Sequence, residues 1–316
     1  MNKINLTETV PAHLNQERLD RALAQIWPKH SRAQHKQWIL SKSVSINGVE
    51  INKPRHKVHE GDLVAITATM PLQTQWRAQQ ISLNIVYEDK DIIVINKPPG
   101  LVVHPGAGNI DSTLANALLH HCPGIESLPR CGLVHRLDKD TTGLMISAKS
   151  FEAYTNLTQM MQERLISREY QAIVQGLVIS GSTIDEPVGR HPTQRTKMAV
   201  TTGGKFAITH YWVNEKFRAH SLLDIKLETG RTHQIRVHLT HKGYPIVGDP
   251  TYKKQIALEH KISPSLQSTI KSFPRQALHA KSLTLPHPVT SEPLQFEIEL
   301  PADMQTLLSA LRESTE

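Results

Sequence analysis

The segment Gly132-Leu-Val-His-Arg-Leu-Asp-Lys-Asp-Thr-Thr-Gly143 places five charged or ionisable side chains within six positions, from His135 to Asp140. Short apolar runs that are typical of strands stand on either side, Leu133-Val134 and Leu144-Met-Ile146. A polar loop supported by a strand at each end is a common position for catalytic groups. The same pattern fits a solvated loop with internal ion pairs, and local chemistry alone supports the two interpretations equally.

The spacing Asp138-Lys-Asp140 could indicate a magnesium site or an aspartate that is phosphorylated during catalysis. However, Lys139 and Arg136 already compensate these carboxylates, whereas a hard cation prefers several uncompensated oxygens. We therefore predict no metal at this loop and keep an Asp-nucleophile phosphatase as an alternative.

A second polar segment, Glu228 to Leu239, has the apolar spacing of a helix in its second half. His233 and His238 are five residues apart and lie on different faces of such a helix, which excludes the zinc motif with two histidines four residues apart. Arg231 or Arg236 could pair with a buried carboxylate or a phosphate, because a planar guanidinium suits both. An ordinary basic surface helix is the other interpretation.

From residue 81 onward, short strand-like apolar runs dominate and helices of crossover length are few. The run 294–300, Leu-Gln-Phe-Glu-Ile-Glu-Leu, alternates like a half-exposed strand. This pattern predicts an α+β body over residues 81–302, with a largely antiparallel mixed sheet and flanking helices. We expect residues 303–316 to form a C-terminal helix or tail, and the polar residues 71–80 to form a linker.

The composition of residues 12–70 predicts a separate, small α/β domain. The apolar residues between Leu19 and Ile26 fall on one helical face, and Ser31 is suited to cap a second helix over 32–41. Asn47-Gly48, between two alternating apolar runs, is typical of a hairpin turn.

The chain is basic, with a formal net charge of +7 and an isoelectric point of about 9.3. The excess is concentrated in residues 1–75, where ten Lys and Arg face six Asp and Glu, a net charge of +4. Such a balance favours a polyanionic partner, nucleic acid above all. Arg32 and Lys36 lie one helical turn apart, and a phosphate-binding row and an ordinary solvated face both fit them.

Several classes of protein are excluded by what the sequence lacks. Cys122 and Cys131 match neither a zinc pattern nor a disulfide framework. Residues 1–10 lack the apolar region of a signal peptide, and no apolar run approaches the roughly 20 residues that span a bilayer. The glycines of Gly106-x-Gly108 have no Rossmann context, and there is no nucleophile elbow or phosphate-binding loop of a nucleotide hydrolase. We expect a cytoplasmic protein.

Two regions together resemble the RluA family of pseudouridine synthases, in members that carry an N-terminal S4 RNA-binding domain. Residues 15–67 resemble the S4 domain through Arg18 to Leu23, Ser31-Arg32, and Val44-x-Ile-Asn-Gly48 before Gly61-Asp62. The segments that resemble the catalytic domain are Asn96 to Pro105, Gly132 to Gly143, Arg168-Glu-Tyr170, His191 to Met198, Gly230 to Leu239, Gly248-Asp249 and Arg275 to Ala280. Arg168 stands where the family often has lysine, so the charge is kept.

The resemblance implies the pseudouridine synthase fold and a role for four residues. Asp138 would be the nucleophile that enables uracil to leave its ribose and to reattach through C5. Arg236 would pair with that carboxylate and favour its ionised form. Tyr170 would stack on the target base and help to remove the proton from C5. Arg136 would fill the space left by the flipped nucleotide, because chemistry on a paired or stacked base requires its extrusion.

Further RNA contacts are expected at His135 and Arg231 in the catalytic domain and at Arg18, Arg32 and Lys36 in the S4 domain. The resemblance also implies a substrate, namely several uridines in one stem-loop of 23S ribosomal RNA, in the large subunit or its precursor. Isomerisation is redox-neutral and needs no group donor, so we expect no cofactor and no metal. The protein is expected to be a monomer.

A non-catalytic RNA-binding or ribosome-assembly protein is the alternative from another class, with the S4 domain as its functional part. Such a protein has no use for a buried carboxylate that faces an anionic ligand, since burying an unneeded charge is costly. The combination of Asp138, Tyr170 and Arg236 therefore favours an enzyme.

Overall fold

The computed structural model describes residues 3–28, 30, 32–69, 76–106, 108–253 and 263–314. These residues divide into two units, one that ends before Trp76 and one that begins there. Each unit combines a sheet with helices, so the predicted α+β class is confirmed. None of the described helices has the length and apolar character needed to cross a membrane.

The N-terminal unit contains two helices and four strands. They are β1 (Lys3–Thr9), α1 (Leu19–Ile26), α2 (Arg32–Leu40), β2 (Val44–Ile46), β3 (Val49–Glu50) and β4 (Leu63–Thr69). The strands form an antiparallel sheet of order β1-β4-β2-β3. The hairpin predicted at Asn47-Gly48 is confirmed, and both residues have the positive φ that a two-residue turn requires, 51° and 83°.

Strand β1 extends the N-terminal unit beyond its predicted start at residue 12. It pairs with β4 along its whole length, from Lys3 opposite Thr69 to Thr9 opposite Leu63. Its seven residues include only two apolar side chains, Ile4 and Leu6, and so short an alternation does not stand out from a polar terminus. Ser31, the predicted cap of the second helix, lies outside the described residues.

The C-terminal unit holds the larger sheet. Its strands are β5 (Ile85–Glu88), β6 (Ile92–Lys97), β7 (Thr142–Ala148), β8 (Ser167–Gln175), β9 (Ser182–Asp185), β10 (Val188–Arg190), β11 (Met198–Val200), β12 (Ile208–Lys216), β13 (His220–Leu227), β14 (Leu278–Pro286) and β15 (Pro293–Glu297). Its helices are α3 (Leu114–His121), α4 (Phe151–Glu163), α5 (Gln234–His241), α6 (Pro264–Ser272) and α7 (Ala302–Glu313).

Nine of these strands form one sheet of order β5-β6-β7-β14-β8-β13-β12-β9, with β15 paired to β14. Among the described strands only β7 and β14 run parallel to each other, so the predicted largely antiparallel mixed sheet is confirmed. All seven residues of β7 are buried, as expected for a strand that is covered on both faces.

Gly143 lets the chain enter the sheet beside β14. Its φ is 116°, and an ideal Cβ on it would lie 2.2 Å from the carbonyl oxygen of Ala280. Neither the backbone conformation nor the space admits a side chain. The glycine that closes the polar loop therefore sets where β7 begins.

The C-terminal unit extends beyond the predicted range 81–302 at both ends. Helix α7, predicted as a separate helix or tail, buries four apolar side chains in the core of the large sheet: Met304, Leu307, Leu308 and Leu311. At the other end, the Asn116 side chain donates to the carbonyl of Arg77 at 2.8 Å, and the Gln79 amide donates to the carbonyl of Asn116 at 3.0 Å. The second half of the predicted linker 71–80 is therefore bound to this unit.

Candidate active site

A cavity of about 890 Å³ opens where the loop before β7, the start of β8 and the turn before α5 converge. All six site residues predicted for the catalytic domain line it: His135, Arg136, Asp138, Tyr170, Arg231 and Arg236. The described residues around the cavity include six arginines but only two carboxylates, Asp138 and Glu228. The cavity therefore suits an anionic ligand.

Asp138 and Arg236 form the ion pair at the centre of this cavity. The Asp138 Oδ2 accepts a hydrogen bond from Arg236 Nη1 at 2.9 Å, although 98 residues separate them in sequence. Arg236 is buried, while the Asp138 side chain keeps 15% of its surface exposed. A carboxylate that is paired from behind and open in front can act as a nucleophile or a base.

Asp249 holds the other side of the Arg236 guanidinium. Arg236 Nε and Nη2 donate to its two carboxylate oxygens at 2.7 and 2.8 Å. Burial opposes both charges, but their mutual hydrogen bonds raise the pKa of Arg236 and lower that of Asp249. No role was predicted for Asp249, because nothing in Gly248-Asp249 indicates which arginine it meets.

His233 and Tyr252 brace the ion pair from a further side. His233 Nε2 lies 3.8 Å from Asp138 Oδ1, and its Nδ1 is 2.8 Å from the Tyr252 hydroxyl. The Arg236 guanidinium stands 5.0 Å from the centre of the Tyr252 ring, a cation–π distance. The spacing of His233 and His238 served only to exclude a zinc motif, so the contacts of His233 with Asp138 and Tyr252 were not predicted.

Lys97 fixes the loop that carries Asp138. The side chain is fully buried, and its Nζ donates to the carbonyls of Pro98, Leu101 and Lys139 at 2.8, 3.0 and 2.8 Å. Burial lowers the pKa of Lys97 to about 7. A lysine at the end of an apolar strand was the available sequence signal, and it was not given a role.

Tyr170 lies in β8 on the wall of the cavity and is 5% exposed. Burial raises the pKa of Tyr170, and the nearby Asp138 charge adds to the effect. The phenol is therefore neutral near neutral pH, and its ring forms a flat surface of the cavity.

The three remaining predicted residues of the catalytic domain differ in exposure and in the hydrogen bonds that hold their side chains. Arg136 is exposed at the cavity. Arg231 donates from Nε to the carbonyl of Phe206 at 3.0 Å. His135 faces the wall instead of the surface: its Nε2 accepts the Ile146 amide at 3.1 Å, and burial lowers its pKa to about 3. His135 is thus a neutral ring fixed to β7.

The predicted cations of the N-terminal unit converge on one acidic residue. Arg18 and Arg32 both pair with the buried Asp20, at 3.0 and 2.7 Å. Burial opposes the charge of Asp20, but the two arginines lower its pKa. Together with Lys36 they line a groove of about 700 Å³, so the predicted row of cations carries one compensating carboxylate.

Among the residues that the structure describes, two groups of side chains have the spacing of metal ligands, and neither includes Asp138 or Asp140. In the group of Asp89, Asp91 and His287, the His287 Nδ1 accepts two backbone amides, so its Nε2 carries the proton and donates to Asp89. In the group of Glu88, His121 and Cys122, Glu88 is paired with Lys149, and burial raises the pKa of the Cys122 thiol to about 11. In each group, at least one potential ligand is thus already engaged with another protein side chain.

The chain is similar to known proteins in sequence and in fold. Residues 91–241 match the family model described as RNA pseudouridylate synthase, and residues 17–64 match the S4 domain. Ribosomal large subunit pseudouridine synthase D of Pseudomonas aeruginosa is 52% identical over 307 residues, which cover 97% of this chain and 96% of that protein. The protein of the same name from Escherichia coli K12 is 49% identical over 314 residues, covering 99% and 96%.

Two solved human structures share the fold. Human RNA Pseudouridylate Synthase Domain Containing 4 is 27% identical with a TM-score of 0.58, and the match covers 72% of this chain and 93% of that one. Human RNA Pseudouridylate Synthase Domain Containing 1 is 25% identical with a TM-score of 0.55, covering 78% and 99%.

Proposed function

This chain belongs to the RNA pseudouridylate synthase family, and from that premise we propose that it converts uridines of 23S ribosomal RNA to pseudouridine, with Asp138 as the nucleophile. The observation that carries the proposal is the Asp138–Arg236 pair inside a basic cavity. The choice of RNA is supported by relatives of about 50% identity that are named for the large ribosomal subunit.

The reaction exchanges one bond of the nucleoside for another. The N1–C1′ bond of uridine breaks, the uracil turns, and a C5–C1′ bond forms. The C5 proton leaves and N1 takes up a proton, so no oxidant, reductant or group donor is consumed. Asp138 starts the detachment, and Arg236 holds its carboxylate in place from a guanidinium that Asp249 has already oriented.

Tyr170 provides the surface on which the flipped uracil stacks. The raised pKa of its phenol supports this role better than that of a phenolate base. Arg136, two residues before Asp138 and exposed, fills the space in the RNA that the flipped nucleotide leaves. Arg231 contacts the RNA near Asp138, and the wall-bound His135 positions the loop.

The N-terminal unit gives the enzyme a second hold on its RNA. Arg18, Arg32 and Lys36 are the proposed phosphate contacts of that S4 domain. Two linked sites bind one RNA more tightly than either alone, because the second contact becomes intramolecular. We place the enzyme in the cytoplasm, where its buried, unpaired thiols Cys122 and Cys131 stay reduced.

Tritium release from 23S rRNA transcripts that contain 5-[³H]uridine tests the proposal directly. We expect release by the wild type and none by Asp138→Asn, with equal RNA binding by both. Asp140→Asn is the matched control, because it removes a charge from the same loop outside the cavity, and it should stay active. A map of pseudouridine in 23S rRNA from cells without the protein would identify the uridines.

The alternatives predict other results in the same assay. If the wild type and Asp138→Asn both bound RNA and neither released tritium, the protein would be an RNA-binding factor. If it hydrolysed phosphate esters with magnesium and lost this activity with a chelator, Asp138 would be a phosphatase nucleophile.

A further inference from the structure

Arg168 is a buried cation that lacks a counter-charge. It is 8% exposed, and its Nε–H has no hydrogen-bond acceptor. Within the described part of the chain, no carboxylate lies within 4.0 Å of it. The two other buried arginines, Arg236 and Arg275, each hold a carboxylate through two nitrogens. Since burying an unpaired charge is costly, Arg168 is suited to a partner that arrives from outside.

The position of Arg168 places that partner beside the proposed base site. Arg168 and Tyr170 are two residues apart in β8 and are both buried, while Glu169 between them is exposed. Alternate residues of a strand share a face about 7 Å apart, and both side chains line the cavity. A ligand that reaches both is a nucleotide and not a free base.

The surroundings of Arg168 offer hydrogen-bond donors and no free anion. His135 carries its proton on Nδ1, because Nε2 accepts the Ile146 amide, and this buried Nδ1–H has no acceptor either. The charge of Arg168 lowers the pKa of His135 after burial does, so the two groups are close enough to interact. The complement to such a site is an anion with several acceptor oxygens.

The two carboxylates of the cavity are both occupied elsewhere. Asp138 is bound to Arg236, and Glu228 accepts hydrogen bonds from Arg164 and His210. Neither can therefore serve as the missing partner of Arg168.

Gly230 leaves room for the guanidinium. An ideal Cβ at this position would lie 3.0 Å from Arg168 Nη1, closer than nine in ten real Cβ contacts. The φ of Gly230 is not positive, so the backbone does not need a glycine there. What the glycine provides is space next to Arg168.

We propose that Arg168 forms an anion subsite that binds a backbone phosphate of the RNA, next to the uridine that stacks on Tyr170. The inference rests on the proposed function, because that function supplies RNA as the ligand. Arg168 is a binding residue in this scheme, and its guanidinium fixes the nucleotide so that the ribose faces Asp138.

Methylphosphonate substitution tests the subsite, since it removes the charge of one chosen phosphate. The full chain is titrated with a synthetic stem-loop of 23S rRNA that contains one mapped target uridine, in versions neutralised at each phosphate within two nucleotides of it. For the wild type we expect one linkage to raise Kd about 10- to 100-fold. Arg168→Gln should bind the native RNA that much more weakly and show no further effect of the same linkage.

Three further variants separate a phosphate contact from a structural charge. Arg312→Gln removes an exposed arginine that pairs with Glu215 outside the cavity, and it should keep the wild-type pattern. Gly230→Ala shifts the guanidinium without removing its charge, and Arg168→Lys keeps the charge without the Nε donor. Both should weaken binding partly and stay sensitive to the same linkage, and they replace Arg168→Gln if that variant fails to fold.

The outcomes for the subsite and for the proposed function are distinct. A linkage effect of equal size in the wild type and Arg168→Gln, or a variant that loses thermal stability but binds every RNA like the wild type, would overturn the subsite. Tritium release without any linkage effect would uphold the enzyme and remove the subsite. A linkage effect that depends on Arg168, without tritium release, would leave the subsite and refute the proposed isomerisation.

Discussion

Arg236 joins two carboxylates that come from distant parts of the chain. Its planar fork has five N–H donors, so it can hold Asp249 through two nitrogens and still reach Asp138 with the third. Asp249 thereby orients the arginine, and the arginine orients Asp138, the proposed nucleophile. The geometry of Asp138 thus depends on a residue that does not touch the cavity.

Replacing Arg236 with lysine should therefore reduce activity and stability strongly, although the positive charge is kept. An ammonium cannot bridge both carboxylates in this geometry, so Asp249 remains buried without its partner. We expect kcat/KM for tritium release to fall about 100-fold or more and the unfolding free energy to fall by about 2 to 4 kcal/mol. Asp249→Asn keeps one acceptor for Arg236 and should be milder in both measurements. Activity of Arg236→Lys within threefold of the wild type would contradict this account.

The buried Lys97 predicts a dependence of stability on pH. Its pKa is about 7 in the folded chain and about 10.4 in an unfolded one. Between these values the unfolded chain binds more protons, so raising the pH increases the unfolding free energy. Below pH 7 the lysine is charged in both states and contributes no slope.

Comparison with Lys97→Met isolates this contribution, because the other titrating groups are shared. Denaturant unfolding at pH 7 and pH 9 should show the wild type gaining about 1 to 3 kcal/mol relative to the variant. A difference that stays constant, or changes in the opposite direction, would mean that Lys97 keeps its proton when buried.

At the scale of elements, the junction of β7 and β14 sets the position of the catalytic loop. Gly143→Ala would place a Cβ against the Ala280 carbonyl at a φ of 116°. We expect the unfolding free energy to fall by at least about 2 kcal/mol and activity to fall with it, measured by denaturant titration and tritium release. Gly106→Ala is the control, since nothing lies within 4 Å of its Cβ and its φ is not positive. Equal stability of the two variants would refute the role of this junction.

Local patterns predicted the elements that depend on local chemistry. The hairpin at Asn47-Gly48 follows from the turn conformation of two residues, and the buried face of α1 follows from helical spacing. Strand β1 was missed because only its pairing with β4 makes it a strand. Helix α7 was predicted as a helix or tail, but its burial depends on a core that no local window contains.

In the candidate site too, local patterns predicted some residues, whereas other residues depend on contacts that form only in the folded chain. Asp138 stood out as a charge in a crowded loop, and the family resemblance supplied Arg236 as its expected partner. The contacts of Asp249, His233 and Lys97 join loops and helix ends that only the folded unit brings together, so no spacing rule could indicate them.

At the scale of the whole molecule, the N-terminal unit should contribute affinity and little chemistry. Replacing Arg18, Arg32 and Lys36 together with glutamine should reduce the slope of log K against log salt by about 2, as expected for three lost contacts to single-stranded RNA. Tritium release at saturating protein should remain near the wild-type rate. RNA binding measured across a salt series checks the first expectation, and single-turnover release checks the second.

Removal of residues 1–75 extends this test. The truncated chain should show the far-UV circular dichroism expected for the helices and strands of the C-terminal unit. It should bind rRNA more weakly than the full chain and still release tritium at high concentration. A folded truncated chain without any activity would contradict the assignment of RNA affinity to the N-terminal unit and of the chemistry to the C-terminal unit.

The position of β14 in the sheet also determines how late in synthesis the cavity around Asp138 and Tyr170 can form. Asp138 precedes β7 and Tyr170 lies in β8, yet these strands are not neighbours, because β14 runs between them and pairs with both. Strand β14, which aligns the proposed nucleophile with the proposed stacking surface, is synthesised after both, and such distant pairings fold slowly. A chain that ends before β14 contains both residues, but we expect it to lack the pairing that brings them together.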